Sequence, residues 1–349
     1  MRWPAASVSW LSHQWQQKGL WYRLTLPLAW CYAAVVGLNA WLYRQGWRKA
    51  YASPVPVIVV GNLYVGGTGK TPVTIELARL LGEQGWRPGL VSRGYGAQSK
   101  THPAVGRGAD LDWRVFGDEP ALIAAITAMP IAVHPDRCAA VRQLLCFDPA
   151  VNIILSDDGL QHYRLGRNME IMVEDERGMG NGATLPAGPL REASSRRRRV
   201  DLILRRGGAP TDGAEASRPH TFPFAFDLQH FTCPATQVRL DAAAMAQHIH
   251  ASHAKVIALA GIGVPQRFFD SLRDKGIQVD ETIALPDHDV LNQQTLAKLD
   301  AATILMTAKD AVKYATHDDP RIWVAQLSID WPSQAIETWL LQKLPKVKR

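Results

Sequence analysis

The sequence predicts an α/β protein built on a mostly parallel sheet with helices on both faces, and three observations carry that expectation. Between residue 55 and about residue 205, short apolar runs rich in β-branched residues alternate with helical patterns, the pattern of buried parallel strands covered by helices. One run, residues 55–60, passes directly into a glycine-rich loop and then a helical pattern. Another, residues 151–156, ends in the adjacent acids Asp157 and Asp158.

Composition sets the frame. The chain has 349 residues, 47% apolar and 20% charged, enough for about two packed domains. Its net charge is +7. No carboxylate precedes Glu76, and Arg2, Lys18, Arg23, Arg44, Arg48, Lys49 and Lys70 account for the whole excess. A nucleic-acid binder is therefore not expected, because its cations would be spread over a binding face. Cys31, Cys138, Cys146 and Cys233 form no CxxC pair and no Cys/His metal spacing, which fits reduced thiols in the cytosol. Neither a cleaved signal peptide nor a lipoprotein signal is expected. The apolar run starts only after Arg23, and the bulky Trp30 precedes Cys31.

The first element is an N-terminal membrane-associated helical segment, residues 1–51. Twenty uncharged residues, 24–43, separate Arg23 from Arg44, enough for a helix of about 30 Å. Pro27 suits a first helical turn and Gly46 a stop, which predicts a helix over residues 27–45. Seven of the twelve tryptophans lie before residue 48, and such rings favour the headgroup level. Cations are balanced on the two sides of the run, so neither orientation across a bilayer is preferred. The segment suits one leaflet of an anionic membrane, the alternative being a buried core helix.

The second element is a phosphate loop. GNLYVGGTGKTP, residues 61–72, follows the 55–60 strand and leads into a helix marked by Val73, Leu77, Ala78 and Leu81. Strand, glycine loop and helix are the order of a P-loop NTPase-like domain. Tyr64, Val65, Gly66, Gly67, Thr68 and Gly69 are expected to form the cradle, Lys70 to reach the β- and γ-phosphates of a nucleotide, and Thr71 to ligate Mg2+. Tyr64 stands where the strict motif has glycine. Val65 stands where the ParA/MinD class of membrane-switching ATPases has a signature lysine, which disfavours that class. The 151–156 strand with Asp157 and Asp158 has the form of a metal-binding partner strand, the alternative being acids that cap the next turn.

Seven strings in order carry a resemblance: GNLYVGGTGKTP, SRGYG (92–96), GDEP (117–120), SDDGLQH (156–162), GNGATLPAGPLRE (180–192), AGIGVPQRFF (260–269) and LPDHD (285–289). Together they resemble the tetraacyldisaccharide 4'-kinases of lipid A biosynthesis. The resemblance implies transfer of the γ-phosphoryl of ATP to the 4'-hydroxyl of an acylated disaccharide lipid, at the cytoplasmic face of the inner membrane. It also implies an anionic membrane surface as partner, and no protein partner is deducible. Asp118 and His288 look like the family's catalytic acid and histidine pair. Taken alone they read as a helix N-cap and a turn residue. Gln161, His162, Arg191 and Glu192 are implied near phosphates or substrate. Leu160 and Asp289 depart from the family's usual aromatic and histidine.

Arg196 to Arg199 allow two readings, a solvated loop or recognition of anionic headgroups and phosphate. Lys309 and Asp310 resemble a further family signature without a role. The kinase domain is read as residues 52–205, a linker as 206–240, and a smaller C-terminal α/β domain as 241–349, closed by a helix over 334–344. Lys70 and His288 fall on different domains, so the site is expected in a cleft. The competing reading is a membrane-associated P-loop NTPase acting as a switch or assembly factor.

Overall fold

The computed structural model describes residues 11, 13–94, 101–207, 219–252, 255–286, 289–314 and 318–344. His288, the Tyr95–Gly96 part of the SRGYG string, residues 1–10 and residues 208–218 of the segment read as a linker lie outside the described residues.

The strands are β1 (Val57–Gly61), β2 (Pro88–Ser92), β3 (Ala104–Arg107), β4 (Pro130–Val133), β5 (Ile153–Asp157), β6 (Met169–Glu174), β7 (Leu202–Arg206), β8 (His220–Thr232), β9 (Arg239–Asp241), β10 (Val256–Ala260), β11 (Glu281–Ala284), β12 (Thr303–Thr307) and β13 (Ile322–Asp330). The helices are α1 (Leu20–Arg44), α2 (Lys70–Glu83), α3 (Trp113–Phe116), α4 (Asp118–Thr127), α5 (Arg137–Phe147), α6 (Ala242–Ser252), α7 (Pro265–Asp274), α8 (Gln293–Ala297), α9 (Ala308–Ala311) and α10 (Ser333–Lys343).

All thirteen strands join in one sheet, ordered β11, β10, β12, β13, β8, β7, β6, β1, β5, β2, β4, β3, with β9 beside β8. Pairing is parallel except at β3 with β4, β13 with β8 and β8 with β9. In β1 the alternation is direct: Ile58 and Val60 enter one core with α2, while Val57 and Val59 enter another with α5. A strand buried on both faces needs helices on both faces, and this is what the apolar run encodes.

Two expectations about organisation change. The segment read as a linker contains β8, which pairs in parallel with β7 through residues 220–224 and antiparallel with β13 through residues 225–232. A single strand thus belongs to both halves of the sheet. The closing helix, expected to complete the C-terminal domain, instead sends Ile336, Trp339 and Leu340 into the core under α2. It packs against the phosphate-loop half because β13 carries the chain back to β8, the seam between the two halves.

Helix α1 starts at Leu20, seven residues before the predicted first turn, and so holds Pro27 in its interior. Tertiary contacts seat the helix on the body, and the contact of Trp21 falls within the added residues. Trp21 Nε1 donates to the carbonyl of Pro186 at 3.3 Å, the hydroxyl of Thr184 donates to the carbonyl of Ala29 at 2.9 Å, and Tyr32 donates to the carbonyl of Arg191 at 3.0 Å. Tyr43 stacks on Tyr163 with centroids 6.3 Å apart. One face of α1 is therefore seated on the body along its length. The opposite face carries Leu20, Leu24, Leu28, Val35 and Leu38, each more than half exposed. By length and composition this helix could cross a membrane.

Candidate active site

The site grows from strand order. β1 lies between β5 and β6, so the loop after β1, the acids ending β5 and the acids ending β6 meet at the carboxyl edge of the sheet, where ligands of parallel sheets collect. Gly69 is the residue before α2, with φ +91°, a left-handed conformation natural to glycine. A Cβ there would also stand 2.6 Å from the ring of Phe226. Phe226 comes from β8, so the seam strand closes over the loop.

Asn62, fully buried, stitches the loop together. Its Nδ2 donates to the carbonyls of Tyr64 at 2.7 Å and Gly66 at 3.2 Å and to Thr68 Oγ1 at 3.0 Å, while its Oδ1 accepts from Lys70 Nζ at 3.4 Å. Val65 N–H donates to the carbonyl of Pro189 at 2.9 Å. Gly66 and Gly67 remain exposed at the rim. Thr71 is the second residue of α2, whose N-terminus faces the loop it follows. Backbone N–H groups at a glycine-rich helix start are suited to phosphate oxygens.

Asp157 and Asp158 have different environments. Both Oδ atoms of Asp158 accept from Arg191 Nη1, at 2.8 and 2.7 Å, and Lys70 Nζ stands 3.5 Å away. Burial opposes its charge, but Lys70 and Arg191 outweigh burial and hold the carboxyl down to about 2. Asp157 is 1% exposed and its Oδ1 has no hydrogen-bond partner. Burial, followed by the charge of Glu119, raises its pKa. A buried, unpartnered carboxylate oxygen beside a phosphate loop is suited to a hard cation such as Mg2+. Asp158 would have to release two cationic partners to ligate one.

Beneath these acids lies Arg137, which sequence reasoning missed. Its guanidinium is 4% exposed and donates Nη2 to the carbonyls of Asp157 at 2.7 Å and Asp158 at 2.8 Å. It anchors the backbone at Asp158, which has φ +48°, a costly value for a non-glycine residue. Arg137→Ala is expected to lower stability by about 3 kcal/mol, since two buried carbonyls lose a charged donor. Denaturant unfolding checks this, and a change within experimental error of zero would contradict it.

The remaining predicted residues separate into two groups. Gln161 Nε2 bridges the carbonyl of Asn62 at 3.3 Å and Glu192 Oε1 at 3.0 Å, and Glu192 also accepts from Tyr163. These residues lie beside the glycine loop through Asn62, and Arg191 beside it through Asp158. His162 instead sits with Asp136 and Cys138, their ligating atoms within 4.8 Å of one another. Burial, then Arg137 and Arg167, push the His162 imidazole down to about 4. Burial and Asp136 push the Cys138 thiol up to about 11. A protonated thiol beside an imidazole that feels the charges of Arg137, Arg164 and Arg167 is a poor cation site, and we assign none. The arginine run also resolves. Arg196 and Arg197 pair with Glu170 and Glu174, while Arg198 and Arg199 are exposed.

Asp118 begins α4, buried at 4% exposure. Lys309 and Lys313, from the far half of the sheet, place their Nζ atoms 3.8 Å from its Oδ2. Lys309 also meets Glu119 at 3.1 Å, and Lys313 meets Asp310 at 3.0 Å. Asp310 accepts in turn from the Gly261 N–H at 2.9 Å. The Lys309–Asp310 signature thus carries the α9 turn onto Asp118.

A family model described as tetraacyldisaccharide-1-P 4'-kinase matches residues 21–345. A tetraacyldisaccharide 4'-kinase of Bordetella parapertussis is 47% identical over 335 residues, covering 95% of this chain and 94% of its own. One from Herminiimonas arsenicoxydans is 45% identical over 327 residues, covering 90% and 89%. The crystal structure of an LpxK from Aquifex aeolicus in complex with ATP superposes with a TM-score of 0.77 at 25% identity, covering 93% of this chain and 99% of that one. The chain belongs to the tetraacyldisaccharide 4'-kinase family.

Proposed function

We propose that this chain transfers the γ-phosphoryl group of ATP to the 4'-hydroxyl of a tetraacyl glucosamine disaccharide 1-phosphate in lipid A biosynthesis. The observation that carries the reading is the convergence of the glycine loop, Lys70, Asp157 and Arg191 at one sheet edge beside the docked face of α1. Phosphoryl transfer requires positioning and charge neutralisation more than covalent chemistry. The backbone N–H groups of residues 66–69 hold the phosphates, Tyr64 and Val65 frame the loop, the Val65 N–H being spent on Pro189, and Lys70 offsets charge on the group in flight. Arg191 and Lys70 keep Asp158 ionised at the rim. Asp118, with His288, takes the proton of the attacking hydroxyl or orients it. Thr71 and Asp157 are the residues that would hold Mg2+, which when bound neutralises charge on the phosphate oxygens.

The acceptor's acyl chains remain in a bilayer, so the enzyme must work at its surface. The docked and exposed faces of α1 support a helix lying in one leaflet, on the cytoplasmic face of the inner membrane, in preference to a spanning one. In this reading residues 1–51 anchor, residues 52–205 catalyse with α10 packed beneath them, and the rest of residues 241–349 completes the cleft. Replacing Leu20, Leu24 and Leu28 together with Gln is expected to abolish sedimentation with anionic vesicles while leaving the thermal midpoint unchanged. Undiminished sedimentation would assign anchoring to another surface.

The function is tested by incubating purified protein with γ-labelled ATP and detergent-dispersed acceptor. Label is expected in the lipid fraction. Label released only as inorganic phosphate would favour an ATPase switch.

A further inference from the structure

One group of charges is unused by the reaction above. Asp175, the residue after β6, has a fully buried side chain that takes two guanidinium groups. Arg177 donates Nε to its Oδ1 at 3.1 Å and Oδ2 at 2.9 Å, and places Nη2 2.7 Å from Oδ2. Arg267, in the first turn of α7, donates from Nη1 and Nη2 to the same Oδ2 at 3.3 Å. Its Nη2 also reaches Glu176 Oε2 at 2.9 Å. One buried carboxylate therefore ties the end of β6 to the C-terminal half.

The same Arg177 touches the phosphate loop twice. Its Nη2 donates to the carbonyl of Gly67 at 2.7 Å, and its Cζ lies 4.2 Å from the centroid of the Tyr64 ring. Tyr64 replaces the glycine of the strict motif, and its ring supplies a face that glycine lacks. Gln16 Nε2 donates to the Tyr64 hydroxyl at 2.9 Å, which fixes that ring from the side of α1. A planar guanidinium can stack on the ring, fork onto Asp175 and still donate to a carbonyl, whereas an ammonium cannot do all three.

We propose that Arg177 is a positioning residue for the phosphate loop, and that Asp175 couples its placement to the C-terminal half through Arg267. The inference rests on the loop binding ATP. Gly66, Gly67 and Gly69 have more backbone freedom to lose than any other residue type, so a loop already held at Gly67 and Tyr64 binds phosphate with less ordering to do. Without Arg267, Arg177 is the guanidinium left in direct contact with the Asp175 carboxylate among the described residues, with Arg206 acting on it from further off. A change at α7 then reaches a loop that α7 does not itself bond.

The test uses the full chain. ATP affinity and steady-state kinetics are measured for the wild type, Arg177→Lys, Arg267→Ala, Tyr64→Leu and the Arg267→Ala/Tyr64→Leu double variant. Arg177→Lys keeps a cation beside Asp175, which guards the fold. It is expected to weaken ATP binding about tenfold, the size of one charge-assisted hydrogen bond. KM for ATP should rise in proportion while KM for the acceptor holds. Arg267→Ala is expected to weaken ATP binding several-fold, and the double variant to lose less than the product of the single losses, because both act through Arg177. Wild-type ATP affinity in Arg177→Lys, or strictly multiplicative losses, would overturn the proposal. A wild-type chain that fails to bind ATP would sink the nucleotide reading itself and this coupling with it.

Discussion

Replacing Lys70 with alanine is expected to lower the rate of phosphoryl transfer by about a thousandfold, the scale of losing one positioned charge in a phosphoryl-transfer site. Lys70 is the first residue of α2 and carries its ammonium between Asn62 Oδ1 at 3.4 Å and Asp158 at 3.5 Å. Two effects therefore add in the variant. The phosphates lose a cation, and Asp158 keeps Arg191 as its cationic side-chain contact at hydrogen-bond distance among the described residues. The fold should survive, because Arg191 still offsets the carboxylate and Asn62 keeps its three donor contacts in the loop. A thermal melt controls for folding. A loss of less than about tenfold would mean that the ammonium does not meet the transferring group.

Asp118→Ala is the second large effect. Turnover is expected to fall by about 10²- to 10⁴-fold, the range for a positioned general base, with ATP affinity nearly unchanged. Asp118 sits on α4 and not on the glycine loop, so nucleotide binding does not depend on it directly. Its burial between Lys309 and Lys313 adds a cost in stability, because the alanine variant leaves two cations with less counter-charge. Asp118→Asn keeps the shape and separates the two contributions. Equal losses in ATP affinity and turnover would remove Asp118 from the proton-transfer step and make it a support of the cleft.

The parts of this site that were legible in the sequence are those whose chemistry is local. A β-branched run, three glycines, Lys70 and Thr71 are contiguous, and Asp157 and Asp158 end an apolar run of their own, so pattern alone placed β1, α2 and β5. Arg137 and Arg267 were not legible. Each acts on groups 20 or more residues away, the end of β5 for Arg137 and the residue after β6 for Arg267, and only the fold brings those groups together. Strand β8 was hidden for another reason. It follows a stretch of turn-forming residues and contains Pro223, and its two halves pair with different strands, β7 and β13. Phe226 over Gly69 was lost with it. The start of α1 was misplaced because Pro27 was read as a first-turn residue, whereas the helix begins seven residues earlier, where Trp21 bonds the distant carbonyl of Pro186.

Tyr64 shows how a departure from a motif becomes informative once neighbours are known. In the sequence it weakens the match to a strict phosphate loop. In the fold its ring is held by Gln16 and covered by Arg177, so the missing glycine is replaced by a braced side chain.

The central claim is that the loop after β1 and the acids after β5 deliver a phosphoryl group to one hydroxyl of a lipid-borne sugar. Phosphorus NMR of the product, with through-bond correlation to the sugar protons, tests this most directly. A new phosphomonoester coupled to the proton at the 4' carbon is the result the account predicts. A diphosphate built on the existing 1-phosphate, or an unmodified lipid beside consumed ATP, would contradict it.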